Sequence, residues 1–159
     1  MLELAGQLAA RGPLRVLDGG NHFNVHIVAR TVRRLTARLE EALANIRVAR
    51  AFTCYQMLAL LDDVPAGSTP TLVLDLLSTF YDESVPLFEC QRLLDAALAQ
   101  LQRLGQAGAV VVSARPPAQA CRERLVLVEA FAAALPTGFL YPQESRLRPV
   151  LQPALFGMG

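Results

Sequence analysis

The sequence predicts an α/β fold built on a largely parallel sheet, and three observations predict it. Short β-rich runs alternate along the chain with longer stretches of helical periodicity. The run Thr71-Leu72-Val73-Leu74 ends on Asp75, as expected of a strand buried on both faces whose C-terminal tip reaches a crevice. Apolar residues make up 53% of the chain, yet no apolar run approaches the ~18 residues of a membrane span. The excess therefore belongs to a buried sheet or a partner surface.

Taken in order, Leu2 to Arg11 reads as a short amphipathic helix. Glu3, Gly6 and Gln7 lie inside it and no basic start precedes it, so it lacks the pattern of a secretory leader. Arg15 to Asp18 is the first strand. Asn24 is a plausible N-cap for a helix from Val25 to Ala44, in which Ile27, Val28, Leu35, Leu39 and Leu43 form an apolar stripe. Arg30, Arg34 and Arg38 recur on another face; the row reads as a solvated surface diluted by Glu40 and Glu41, or as a grip for phosphates or an acidic partner. Further strands are expected at Arg47 to Phe52, Leu72 to Leu76 and Ala109 to Ser113, and further helices at Cys54 to Asp62, Phe88 to Gln106 and Gln119 to Leu135. Val64 to Pro70 is a turn-rich connector. Residues 1–141 form the core, and Pro142 to Gly159, with three prolines and two glycines, reads as an extended tail.

Composition narrows the function classes. The 159 residues suit one domain, enough to bury about 70% of the surface of the unfolded chain. Fifteen arginines against 14 acids give a net charge of +1, which excludes a nucleic-acid binder acting through a global positive field. Cys54, Cys90 and Cys121 are odd in number and widely spaced, arguing for neither a disulfide framework nor a thiolate metal site and for a cytoplasmic setting. His22 and His26 stand four apart, but His22 precedes the expected cap and no third ligand is evident, so no metal is expected. Asp82 and Glu83 are adjacent acids on a loop and read as solvated. No G-x-S-x-G elbow supports serine catalysis.

An apolar strand ending in an acid, Thr71 to Asp75, is the Walker B pattern of nucleotide-hydrolysing folds. Their phosphate loop, G-x-x-x-x-G-K-[S/T], takes its charge from a lysine. This chain has no lysine and can contain no such loop.

Four segments in order resemble the ATPase core of the RecA/RadA recombinase family, over roughly residues 1–117. Asn45-Ile46-Arg47-Val48-Ala49-Arg50-Ala51-Phe52, with Gln56 and Leu60-Leu61 behind it, is similar to the family's N-[IV]-x-x-A-R-A-[FY] strand and following helix. Thr71 to Asp75, then Ser78, Thr79, Phe80 and Tyr81, is similar to its Walker B strand and turn. Phe88 to Leu104 resembles the helix before the next strand, and Ala109 to Ser113 the strand that ends T-N-Q. The resemblance implies a RecA-like, P-loop NTPase-type three-layer fold, with a vestigial nucleotide and magnesium site at Asp18, Asp75, Ser78 and Ser113.

The chain departs from the family where the chemistry sits. Against the family's D-T-E-G-T-F it has Asp18-Gly19-Gly20-Asn21-His22-Phe23, so Gly20 stands in the place of the water-polarising glutamate. Against T-N-Q it has Ser113-Ala114-Arg115, so Arg115 replaces the γ-phosphate sensor. Phosphoryl transfer depends on a positioned water and neutralised phosphate charge, and a pseudo-ATPase is expected. Leu2 to Ala10 resembles the helix that follows the family's phosphate loop, which leaves two readings: the loop is lost, or it lies upstream of a misassigned start. Gly138 to Tyr141 is a candidate to fill the sheet position of a lost loop strand.

The resemblance therefore implies a non-catalytic accessory or scaffold protein of DNA repair or recombination. It would partner a RecA/RadA-like ATPase or itself and need no cofactor of its own; ATP and magnesium enter only through an upstream loop or a partner's phosphate site. Alternatives are a RecA-like ATPase with an upstream loop and a regulatory RecA-fold module outside DNA metabolism. Arg115, Arg122 and Arg124 follow the last core strand, where recombinases carry a DNA-contacting loop, and are candidates for weak DNA binding. Gln152, Leu155 and Phe156 in the tail resemble the Q-x-x-L-F peptide that docks on sliding clamps. No membrane partner is expected.

Overall fold

Four strands, β1 (Leu14–Asp18), β2 (Ile46–Arg50), β3 (Thr71–Leu74) and β4 (Val110–Val112), pair in the order β2-β1-β3-β4 in the computed structural model, which describes residues 1–134. Every pairing is parallel. Val16 lies opposite Val48 on one side and Leu72 on the other, and Val73 lies opposite Val112. β3 is buried along its whole length, as its apolar run requires, whereas edge strand β2 exposes Arg47, Val48 and Arg50. Residues 138–141, expected to fill a sheet position, lie outside the described residues, as do Gln152, Leu155 and Phe156.

Helices cover both faces of the sheet. The period-2 alternation of the strands sends Val16, Leu72 and Leu74 to one face. There they join Ala5 and Ala9 of α1 (Leu2–Ala9), Val28 and Val32 of α2 (Val25–Leu35) and Ala42 of α3 (Leu39–Ala44) in one buried cluster. Leu17 and Val73 point the other way, into a larger cluster with α4 (Cys54–Asp63), α5 (Leu87–Ala107) and α6 (Leu125–Ala134). Each fully buried leucine or valine there contributes about 1.5–3 kcal/mol. Among the described residues no helix is long and apolar enough to cross a membrane.

Local chemistry sets the helix boundaries. Asn24 caps α2 by accepting from the His26 and Ile27 N–H groups at 2.9 and 3.4 Å. The helix expected from Val25 to Ala44 is divided, because Thr36 adopts an extended conformation and its hydroxyl accepts the Arg38 N–H at 3.1 Å, competing with the helical bond. Arg38 thereby leaves the arginine row to flank α3, where it pairs with Glu41. Thr53 caps the start of α4 by accepting the Gln56 N–H on Oγ1, and Gln56 Oε1 reaches back to the Phe52 N–H, one residue ahead of the cap. The helix expected from Gln119 begins as a 3-10 segment, Gln119–Arg124, kinked at Cys121, before α6 starts.

Candidate functional site

Parallel strands bring their carboxyl ends to one rim, and this rim collects Asp18, Asp75 and Ser113 as expected. Asp18 closes β1 and is fully buried. Its Oδ1 accepts the His22 N–H at 3.0 Å and its Oδ2 the Phe23 N–H at 2.8 Å, folding residues 19–23 into a tight loop ahead of the α2 cap. Asn21 takes a left-handed φ of 55° to complete that loop. Arg50, at the end of β2, brings Nε to 3.6 Å from Asp18 Oδ2.

Asp75 follows β3 in a left-handed conformation, φ 51° and ψ 55°, which among non-glycine residues asparagine and aspartate adopt most readily. Its N–H donates to Ser113 Oγ at 3.0 Å, and Ser113 in turn donates its own N–H to the Val73 carbonyl at 2.9 Å. The carboxylate is held chiefly by Arg115. Oδ1 accepts the Arg115 backbone N–H at 3.2 Å, and Oδ2 accepts Nε at 3.0 Å and Nη2 at 2.6 Å. His22 Nε2 stands 3.3 Å from the same Oδ2. The Asp75 side chain is 8% exposed, while that of Arg115 is 60% exposed, so the arginine lies across the acid from the solvent side.

Tyr81 fixes the arginine. Its hydroxyl donates to the Arg115 carbonyl at 2.6 Å. Burial, with the Asp75 charge second, pushes the phenol above its ordinary range and keeps it protonated as a donor. Gly20 completes the closure: a Cβ there would lie 2.7 Å from Asp75 Oδ2 and would run into the His22 ring. The imidazole thus occupies the space that any side chain at position 20 would enter.

No protein-family model and no curated protein matches this chain.

The remaining expected site residues are dispersed. Ser78 is exposed on the 3-10 segment Leu76–Phe80 and reaches Asp75 through its N–H, which donates to the Asp75 carbonyl at 3.2 Å. Arg122 is exposed on the segment before α6. Arg124 is only 2% exposed, so as placed it does not offer its guanidinium to a nucleic acid. Its Nη1 donates to the Phe80 carbonyl and Cys90 Sγ, and its Nη2 to the Val85 carbonyl at 2.8 Å, tying the segment before α6 to the turn after β3. All three cysteines are free thiols. Among the described residues no group of three or more His, Cys, Asp and Glu side chains could hold a metal. The sequence reading missed His22 and Tyr81 as parts of this cluster. Tyr81 sat in plain view in the turn after Asp75, whereas the pairing of His22 with Asp75 left no signal along the chain.

Proposed function

We propose that this chain is a non-catalytic, RecA/RadA-like accessory or scaffold protein of DNA repair or recombination. The observation that carries the non-catalytic half is the closure of Asp75: its oxygens already accept from Arg115 and stand beside His22, at the strand end where a Walker B acid would face magnesium. A magnesium–nucleotide complex does not fit this rim. Magnesium shared with substrate phosphates needs a carboxylate with free lone pairs; here Oδ2 is taken up by Arg115 Nε and Nη2 with His22 alongside, and Oδ1 already accepts the Arg115 N–H. A water-activating carboxylate does not fit at position 20 either, where the first side-chain atom would meet Asp75 and His22. Arg115 takes over the acid instead of sensing a phosphate.

The scaffold half is supported by exposed aromatic side chains. Phe52 just beyond β2 is 69% exposed, Phe88 in the first turn of α5 is 71% exposed, and Tyr55 in the first turn of α4 is half-exposed. Aromatic side chains beside a surface arginine such as Arg92, itself paired with Glu89, suit a protein contact more than open water. The test is a titration with a fluorescent ATP analogue in magnesium, followed by phosphate release. No saturable binding in the micromolar range is expected; micromolar binding with turnover refutes the proposal.

A further inference from the structure

We infer that the outer face of α2 binds the phosphate backbone of a nucleic-acid duplex. The charge of this chain is segregated. α2 holds three arginines, Arg30, Arg33 and Arg34, and no acid, so outside it 12 arginines stand against 14 acids and the rest of the chain is net negative. All three are exposed, and among the described residues none of them has a hydrogen-bond or ion-pair partner. Elsewhere the fold employs its arginines: Arg50 stands by Asp18, Arg92 by Glu89 and Arg115 by Asp75. The arginines of α2 hold no part of the fold in place.

Local sequence makes this face. Val28 and Val32 turn inward into the cluster on the Val16 face of the sheet. At 3.6 residues per turn this leaves His26, Arg30, Arg33 and Arg34 on one outward arc of about 100°, all four exposed. From His26 to Arg34 is about 12 Å along the helix, a length over which one strand of a duplex presents about three phosphates. Past Thr36 the row runs on to a polar recess of about 180 Å³, whose walls include Arg11, Thr36, Arg38 and Asn45. Glu41 is the one acid in those walls, and Arg38 Nη1 stands 3.5 Å from it.

Chemistry selects the occupant. A protein partner is held by apolar and aromatic anchors at the centre of a patch depleted in charge, and a single strand by bases stacked on aromatic rings. α2 carries no phenylalanine or tyrosine, and the exposed Phe52, Tyr55 and Phe88 lie outside it. Its two exposed large apolar residues, Val25 and Leu35, stand at opposite ends of the helix and form no common patch. Guanidinium groups alone match phosphate oxygens, position a duplex and read no sequence. The net charge of +1 is no obstacle, because salt screens charges beyond about 10 Å and the local row decides. α2 lies on the Val16 face and makes no hydrogen bond to the Asp75 carboxylate, so nucleotide exclusion at the rim and duplex binding at α2 succeed or fail separately.

Fluorescence anisotropy of a short labelled DNA duplex, titrated with the full chain at several salt concentrations, tests this. Three phosphate contacts on α2 give a slope of log K against log salt at least as steep as about −2.7, a loss of affinity of about fortyfold between about 50 and 200 mM salt. Arg30→Gln, Arg33→Gln and Arg34→Gln together are expected to flatten the slope by about 2.7 at unchanged Tm, since glutamine keeps the helix propensity of arginine. Arg30→Gln alone is expected to flatten it by about 1, and decides should the triple variant fail to fold. Arg47→Gln, on the exposed edge strand β2, is expected to leave the slope as it is. No saturable binding at about 50 mM salt, or a slope that the α2 variants leave unchanged, overturns the inference. Equal affinity for polyglutamate overturns it in favour of an acidic protein partner, and tighter binding of the single strand than of the duplex overturns it in favour of unpaired nucleic acid.

Discussion

Arg115→Ala removes the guanidinium that covers Asp75 and tests whether that contact organises the rim. Two side-chain hydrogen bonds, at 3.0 and 2.6 Å, are lost, while the backbone bond to Oδ1 at 3.2 Å persists. Bonds to charged groups contribute about 1.5–3 kcal/mol each when shielded, but an exposed ion pair contributes only about 0–1 kcal/mol. This pair is mixed, its acid 8% and its arginine 60% exposed. The expected cost is therefore about 2 kcal/mol, mainly the penalty of a carboxylate that water reaches poorly. For a chain of this length that is roughly a 6 °C drop in Tm. Arg115→Lys keeps the charge without the planar fork and should lose about half as much. Urea unfolding followed by circular dichroism on Arg115→Ala, Asp75→Asn and the double variant gives the coupling energy, expected at or above about 1 kcal/mol. A single-variant loss below about 0.5 kcal/mol, or a coupling indistinguishable from zero, refutes the reasoning.

Gly20→Glu, which restores a carboxylate at the position facing Asp75, should destabilise the fold by about 2 kcal/mol through crowding and like-charge repulsion, without conferring ATP turnover; undiminished stability with phosphate release would contradict the closed rim. Tyr81→Phe should cost about 1 kcal/mol near neutral pH, measured by chemical unfolding, through loss of the bond to the Arg115 carbonyl. Because the folded-state pKa of Tyr81 is raised from 10.0, the unfolded chain ionises first as pH rises, and the stability advantage of the native phenol, complete below pH 10, should shrink above it. An advantage that holds constant into alkaline solution would argue against a buried phenol. Leu155→Ala combined with Phe156→Ala should weaken capture of the full chain by a sliding clamp by about 2 kcal/mol, near thirtyfold, at unchanged Tm; equal capture by both forms, measured by surface binding, would assign the tail another role.

The sequence by itself determined the four strands and most of the helices, though not the break at Thr36 or the 3-10 start at Gln119. The apolar run Thr71–Leu74 becomes a strand buried on both faces, Leu14–Asp18 is a strand through its branched and apolar Leu14, Val16 and Leu17, and Asn24 starts its helix because its side chain reaches two orphan amides within three residues. Asp18, Asp75 and Ser113 share a rim for the same local reason: each ends a strand, and parallel strands align their ends. The tertiary structure alone decided what those residues do. Strand order places β1 between β2 and β3, contacts that no short-range preference encodes. Arg115 meets Asp75 across forty residues of chain, and His22 reaches it from a different loop, so the closure of the acid depends on sheet register. Arg124, one of several similar arginines in the sequence, is buried because the turn after β3 presents backbone carbonyls that accept its guanidinium. Hydrophobic period and capping act over a few residues and are legible along the chain, whereas the partner of a charge is set by which segments the sheet brings together.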